Sequence, residues 1–143
     1  MAHLFTFNSG RFRTGDERPN PINPIAGESV LKWLATQLTD RGFEVGAPDP
    51  EDWGWCTRVV SGPARYLLGA CGEWFPTSAD PRTDWTVLLE LSRSLGQRLS
   101  GAHQMRTDDA LSAAIEAVLR GDAEFRAVAV DRGSARTDRE PGA

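Results

Sequence analysis

The chain of 143 residues is 40% hydrophobic and 25% charged, and it carries a net charge of −4 at neutral pH. This length fits one domain, and the composition is typical of soluble globular proteins. The acidic balance argues against non-specific nucleic-acid binding, which needs a basic surface, and it favours a basic partner.

The first predicted element is a short strand. In HLFTFNSGRF the apolar residues alternate around Phe5 and Phe7, and Asn-Ser-Gly then marks a turn. The polar loop over 13–24 follows, and its prolines at positions 19, 21 and 24 exclude a regular strand. Because proline restricts the backbone, we expect an ordered surface loop there.

A helix is predicted over about 24–41. Its apolar residues recur at helical spacing: Val30, Leu31, Leu34 and Leu38. Asn23 is suited to the N-cap and Pro24 to the first helical position, where a missing N–H costs nothing. Gly42 predicts the end of the helix, and Phe43 is placed to pack back on its last turn.

The middle of the chain predicts three strands. WGWCTRVV and RYLLGAC are rich in aromatic and branched residues and flank Ser-Gly-Pro-Ala, which indicates a hairpin. After a second polar loop, WTVLLELS predicts the next strand. The segment 93–106 fits a helical turn followed by a loop.

The last part of the chain predicts a helix, a strand and a tail. The helix is expected over 108–120, with Thr107 or Asp108 as its N-cap, since apolar residues recur on one face. Gly121 ends it, and the alternation in FRAVAV predicts a possible final strand. Residues 132–143 have no apolar anchor, so we expect a disordered C-terminal tail.

The order of elements is therefore β-α-β-β-β-α, with a possible final strand. Hairpin-connected strands between two helices predict an α+β fold. We expect an antiparallel sheet of three to five strands with both helices packed on one face. No internal repeat or domain boundary is visible, so residues 1–131 form a single predicted domain.

The length of the hairpin turn decides which residues share a face of the sheet. With a turn of even length, paired positions sum to an odd number near 125. One face is then aromatic and uncharged: Trp53, Trp55, Thr57, Val59, Tyr66, Leu68 and Ala70. The other face holds a mixed set: Cys56, Arg58, Val60, Arg65, Leu67 and Cys71. We expect the first face under the helices, with Trp53 and Trp55 in the core; a turn of odd length would separate the two cysteines.

Residue patterns of known catalytic and metal sites are missing from the sequence. It has no nucleophile elbow, phosphate loop, dinucleotide loop or zinc-protease motif. Cys56 and Cys71 lack the spacing of zinc ligands, so we expect reduced, metal-free thiols. Asp49, Glu51 and Asp52 do not match a calcium loop. We expect no cofactor, and an enzyme is less favoured than a binding protein.

Membrane insertion and export are also not indicated. No apolar run approaches the roughly 18 residues of a membrane-spanning helix. The N-terminal residues lack the basic start, apolar block and cleavage site of a signal peptide. Together with the cysteine usage, this predicts a cytoplasmic protein without membrane contact.

The function predicted from these features is binding to another protein, as an inhibitor, adaptor or toxin-immunity protein would bind. Acidic loops attract a basic partner, and an apolar sheet face rimmed by arginine is typical of protein interfaces. The predicted partner-binding residues are Asp16, Glu17, Asp49, Glu51, Asp52, Arg58 and Arg65. Residues 92–106 are an alternative cover for that face, and a homo-oligomer is an alternative use of it.

A small enzyme or ligand-binding domain is the alternative function. Its site would lie between the first helix, the proline-rich loop 13–24 and the acidic loop 49–52. The candidate residues are Arg11, Arg13, Asp16, Glu17, Asp49, Glu51 and Asp52. A deep pocket with two of these carboxylates beside an arginine or histidine favours this alternative, whereas a shallow exposed patch favours the binding protein.

Overall fold

The computed structural model describes residues 2–73, 82–92 and 105–133, which form an α+β fold. The strands are β1 (His3–Ser9), β2 (Ile25–Ala26), β3 (Glu44–Val45), β4 (Asp49–Glu51), β5 (Gly54–Ser61), β6 (Ala64–Glu73), β7 (Thr83–Leu91) and β8 (Arg126–Asp131). The helices are α1 (Glu28–Thr39) and α2 (Ala110–Arg120).

These strands form one sheet whose pairings are antiparallel. The order is β3-β5-β6-β7-β1-β8, with β2 beside β6 and β4 beside β5. Strand β1 therefore lies between β7 and β8, so that the first and last described strands are neighbours. Phe5 and Phe7 of β1 point into the core, as their alternation predicts.

The predicted α+β class, the antiparallel sheet and the final strand are confirmed, but the number of strands is not. The described residues contain eight strands rather than three to five. The additional strands β2, β3 and β4 have only two or three residues each. A strand of this length shows no alternation in the sequence, so the pattern could not reveal it.

Helix α1 begins later than the sequence predicts. Ile25 and Ala26 pair with β6, so the helix starts at Glu28 and not at Pro24. Gly27 occupies the N-cap position and, because glycine has no side chain, it cannot cap the helix itself. The predicted end is confirmed, because the N–H of Phe43 donates to the Leu38 carbonyl at 3.1 Å after the helix has turned at Gly42.

Helix α2 begins at Ala110, with Asp109 rather than Thr107 or Asp108 as the N-cap. One carboxylate oxygen of Asp109 accepts a hydrogen bond from the Ser112 N–H at 2.9 Å. The other accepts from the Tyr66 hydroxyl at 2.7 Å. The same cap therefore joins the start of α2 to strand β6.

Both helices cover the same face of the sheet, as predicted, and enclose a single core. The largest buried apolar side chains are Phe5, Leu31, Leu34, Leu38, Trp55, Leu68, Trp85, Leu89, Leu111, Ile115 and Leu119. They come from α1, α2 and the four central strands β5, β6, β7 and β1, so burial of this shared surface stabilises the whole sheet. We call the opposite side of the sheet the outer face.

Most of the predicted tail, 132–143, and most of segment 93–106 lie outside the described residues. Arg132 is described and belongs to the folded part, because its guanidinium donates to Glu116 at 2.9 Å and to the Ser112 hydroxyl at 3.2 Å. Within the described ranges, no helix is both long enough and apolar enough to cross a membrane.

Candidate functional site

The β5–β6 hairpin has the register that a turn of even length predicts. Trp55 pairs with Ala70, so that paired positions sum to 125, and Thr57 pairs with Leu68. The predicted aromatic face is buried from Trp55 onward. Cys56 pairs with Gly69, which places Cys71 diagonally opposite Cys56 on the outer face.

Trp53 is not a core residue, contrary to the prediction. Strand β5 begins at Gly54, and Asp52 and Trp53 form the two-residue turn between β4 and β5. The alternation of β5 therefore does not apply to Trp53, which is 37% exposed, whereas Trp55 is 1% exposed. One edge of the Trp53 ring packs against Gly69: a Cβ at position 69 would be 2.4 Å from Trp53 Cη2 and 2.6 Å from Cζ3.

Gly54, between the two tryptophans, allows the backbones of β5 and β6 to approach closely. A Cβ at this position would lie 2.5 Å from the Ala70 carbonyl oxygen. Its φ of +152° also disfavours other residues. Because a glycine separates the two tryptophans, the backbone can turn so that Trp53 lies on the outer face and Trp55 points into the core.

Two of the predicted acidic residues lie beside Cys56 on the outer face. Asp49 pairs directly with Cys56, and the Cys56 thiol donates to a Glu51 carboxylate oxygen at 3.8 Å. Burial raises the pKa of the Cys56 thiol, and the charges of Glu51 and Asp49 raise it further. Burial also raises the pKa of Cys71. Thiols held in the protonated form are poor nucleophiles, so these geometries do not favour thiol catalysis.

Arg58 and Arg65 lie on the same outer face, at the other end of the hairpin. Arg58 pairs with Leu67 and Arg65 pairs with Val60, and both arginines are exposed. The fold therefore brings four predicted partner-binding residues onto one face of the sheet: Asp49, Glu51, Arg58 and Arg65. Acidic residues lie at the Trp53 end of this face, whereas the other end carries both signs of charge, because Glu44 pairs with Val60 and Glu90 pairs with Leu67.

Asn20 holds the proline-rich loop against the β4–β5 hairpin, which carries Asp49, Glu51 and Asp52 and is called the acidic hairpin. Sequence reasoning missed this role. Its side-chain N–H groups donate to the carbonyls of Glu51 and Gly54, each at 2.9 Å. Its carbonyl oxygen accepts from the Ile22 N–H at 2.8 Å and the Asn23 N–H at 3.2 Å. In the sequence, nothing distinguishes Asn20 from the other polar residues of the loop. Its role depends on its burial, which the sequence alone does not show.

Glu17 does not belong to the acidic surface to which the sequence assigned it. Its carboxylate is buried and accepts hydrogen bonds from the backbone N–H groups of Gly27, Glu28 and Ser29, at 2.9–3.2 Å. It also accepts from the Ser29 hydroxyl. Glu17 thus neutralises the positive end of α1 from a distant loop. Asp16 beside it is exposed and lines a pocket that does not include Asp49, Glu51 or Asp52.

A pocket of about 270 Å³ lies at the N-terminal end of α1. Its lining contains four of the seven residues of the predicted ligand site, and the full lining is Arg11, Phe12, Arg13, Asp16, Glu17, Glu28, Ser29 and Lys32. Asp49, Glu51 and Asp52 are not part of it. The loop 13–24 therefore contributes to this pocket without the acidic loop, although Asn20 connects the two loops.

Glu28, one of the carboxylates that line this pocket, is paired with two cations. It accepts a hydrogen bond from Arg18 Nε at 2.6 Å and another from the Arg18 backbone N–H at 3.1 Å, and it lies 3.6 Å from the Lys32 ammonium. Burial alone would raise the pKa of Glu28, but these contacts lower it below its ordinary value. Glu28 therefore does not have the raised pKa of a general acid near neutral pH. The Glu17 carboxylate is occupied by the backbone N–H groups at the start of α1.

Metal ligation is not supported by the arrangement of these side chains. Across residues 2–73, 82–92 and 105–133, no three His, Cys, Asp or Glu side chains are grouped so that they would hold a metal ion. Cys56 and Cys71 are free thiols.

Comparison with known proteins identifies no match among protein-family models, curated proteins or solved structures.

Proposed function

We propose that the chain is a binding protein for another protein, of inhibitor, adaptor or toxin-immunity type. The binding region is the acidic hairpin together with the adjoining outer face, and it is called the Trp53 surface: Asp49, Glu51, Asp52, Trp53, Arg58 and Arg65. The small size and acidic balance of the chain support a role in neutralising or recruiting a basic protein.

The exposure of Trp53 is the observation that carries this proposal. Trp53 and Ile22 are the exposed large hydrophobic side chains of the described residues. Tryptophan is enriched among the few residues that dominate interface energies, because it buries a large area at a low cost in side-chain entropy. The Trp53 ring is already held against Gly69, so little order has to be gained on binding.

The charges around Trp53 support a role in partner selection. Among the described ion pairs, none involves Asp49, Glu51, Asp52, Arg58 or Arg65. Unpaired surface charges accelerate the encounter with a partner of opposite charge and repel the wrong partner. Because the arginines are confined to one end of the Trp53 surface, the charges also favour one orientation of the partner.

Binding of a small ligand in the pocket at α1 is the second candidate function. It is favoured by one observation, the convergence of Arg11 and Arg13 on the same 270 Å³ space. This volume is below the range of about 300–1,000 Å³ that is typical of ligand pockets. The Trp53 surface is therefore the stronger candidate.

The experiment compares two exposed hydrophobic residues on the same protein. Immobilised wild type, Trp53→Ala and Ile22→Ala are incubated with a lysate of the cell that encodes the chain, and captured proteins are quantified by mass spectrometry. We expect a partner that wild type and Ile22→Ala retain and that Trp53→Ala loses, with an affinity about 30-fold weaker once the partner is purified. A partner that binds Trp53→Ala at wild-type rates would contradict the choice of surface.

The charged residues are tested next with the purified partner. The triple change Asp49→Asn, Glu51→Gln, Asp52→Asn is expected to slow association, and the defect should shrink as salt rises. The paired change Arg58→Ala, Arg65→Ala is expected to accelerate dissociation, if these side chains contact the partner directly. Thermal melts of all variants establish that the fold is intact.

A further inference from the structure

We infer that the Trp53 surface accepts a basic side chain of its partner, and arginine in preference to lysine. This inference rests on the proposed function, because it names the chemical group that the same surface recognises. It is carried by a contrast between Trp53 and two other tryptophans of the chain.

Trp33 and Trp55 each have an arginine of this chain over the ring. Arg11 Cζ lies 5.5 Å from the ring centroid of Trp33, and Arg18 Cζ lies 5.0 Å from that of Trp55. A guanidinium in this position is attracted by the negative face of the indole. Within the described part of the chain, no arginine or lysine occupies the corresponding position over Trp53.

One edge of the Trp53 ring is packed against strand β6. A Cβ at Gly69 would lie 2.4 Å from Trp53 Cη2 and 2.6 Å from Cζ3, so these two atoms contact the backbone of that strand. Trp53 nevertheless remains 37% exposed. A planar group of a partner can stack on the exposed part of the indole.

The surrounding charge selects a cation. Asp52 directly precedes Trp53, and Asp49 and Glu51 lie on the strand that enters the same turn. Asp49 and Asp52 are exposed, and no ion pair of the described residues involves any of the three acids. An anionic group at this position would be repelled, whereas a cation would be attracted by three uncompensated charges.

Arginine meets the geometry better than lysine. Its guanidinium is planar and weakly hydrated, and it stacks on an aromatic ring while its edge donates two parallel hydrogen bonds to a carboxylate. The ammonium of lysine is compact and strongly hydrated, so it loses more on leaving water. The combination of a partly exposed indole and adjacent carboxylates therefore corresponds to an arginine site.

The experiment uses a minimal probe and the indole N–H resonances of the ¹⁵N-labelled chain. Acetyl-Gly-Arg-Gly-amide is titrated to concentrations on the order of 10 mM, since a single exposed cation–π contact gives weak affinity. Two further peptides replace arginine by citrulline, which has the same shape without the charge, and by lysine. The Trp53→Leu variant identifies the Trp53 resonance, and the Trp33 and Trp55 resonances are internal controls.

We expect the Trp53 resonance to shift with the arginine peptide and the controls to remain in place. The citrulline peptide should shift it at least about fivefold less, and the lysine peptide about twofold less. Neutralising Asp49, Glu51 and Asp52 should weaken arginine binding by about threefold at low salt, whereas Arg58→Ala, Arg65→Ala should not weaken it. Equal shifts for arginine and citrulline, or no shift with any peptide, would overturn the inference.

Failure of this inference and failure of the proposed function are distinguishable. A protein partner lost on Trp53→Ala, combined with no preference for arginine, overturns the arginine site and leaves the protein-binding function. A selective arginine shift combined with a partner that ignores Trp53→Ala supports the arginine site and contradicts the proposed interface.

Discussion

The Nδ1 atom of His3 lies 2.8 Å from the Ser112 hydroxyl, and both residues are completely buried. The contact joins strand β1 to the first turn of α2. Arg132 Nε donates to the same hydroxyl oxygen at 3.2 Å. A neutral imidazole suits this buried position, and its Nε2 atom has no hydrogen-bond partner among the described residues.

This environment predicts loss of stability in mild acid. Burial lowers the pKa of His3 below its ordinary value of 6.5, and the charge of Arg132 lowers it further, while Asp109 and Asp131 act in the opposite direction. The unfolded chain therefore takes up the proton first as the pH falls below about 6.5. The free energy of unfolding should decrease toward pH 5, with a slope of at most about 1.4 kcal/mol per pH unit.

Urea denaturation at several pH values between 5 and 7 measures this slope. His3→Leu should flatten the pH dependence, whereas His103→Asn, which changes the other histidine of the chain, should leave it as in wild type. An equal slope in wild type and His3→Leu would show that other groups cause the effect.

The two neighbouring tryptophans of the β4–β5 hairpin should differ strongly in their contribution to stability. Trp55→Ala removes a buried side chain and should cost about 3–5 kcal/mol. Trp53→Ala removes a partly exposed one and should cost about 1 kcal/mol. Denaturant midpoints of the two variants measure the difference. Similar losses for both would place Trp53 in the core after all.

Substitution by alanine should destabilise the protein less at Gly69 than at Gly72. Gly69→Ala directs its Cβ at the Trp53 ring, which can move toward solvent, so a loss below about 1 kcal/mol is expected together with greater quenching of Trp fluorescence by acrylamide. Gly72→Ala directs its Cβ to within 2.5 Å of Cε3 of the buried Trp85, which should cost about 1–3 kcal/mol. The opposite order of stabilities would contradict the described packing.

Glu17 should contribute more to stability than the adjacent Asp16. Glu17→Ala leaves the first N–H groups of α1 without their buried acceptor, and we expect a loss of about 2–3 kcal/mol. Asp16→Ala is the matched control and should change stability by less than about 0.5 kcal/mol, because Asp16 is exposed. Chemical denaturation provides both values. Equal effects would show that Glu17 does not cap the helix.

The sequence predicted local relationships well and remote ones poorly. The pairing of Trp55 with Ala70 follows from alternation on two strands and the length of the turn between them. The termination of α1 shortly before Gly42 follows from a glycine that can adopt a positive φ. In contrast, the start of α1 depends on Glu17, ten residues before Gly27 and outside the helix, and no local pattern encodes this contact.

In the candidate site, too, features of regular strands were predicted correctly and contacts between remote residues were not. The outer face could be assigned for Arg58 and Arg65 because both lie within regular strands. Trp53 was misplaced because the alternation was extended by one residue beyond the start of β5 at Gly54, into a turn where it no longer holds. The hydrogen bonds of Asn20 to Glu51 and Gly54 bridge more than thirty residues, with sequence separations of 31 and 34, and they depend on tertiary structure.

The position of β1 between β7 and β8 has a consequence for how the chain folds. During synthesis from the N-terminus, the β5–β6 hairpin can form early from local contacts, whereas His3–Ser9 has to wait until Thr83–Leu91 and then Arg126–Asp131 have been made. Closing such long loops has a high entropic cost, which is typical of folding on a timescale of about milliseconds to seconds. The strand that is synthesised first is therefore among the last to be enclosed, and Phe5 and Phe7 remain accessible to chaperones until nearly the whole described chain has emerged.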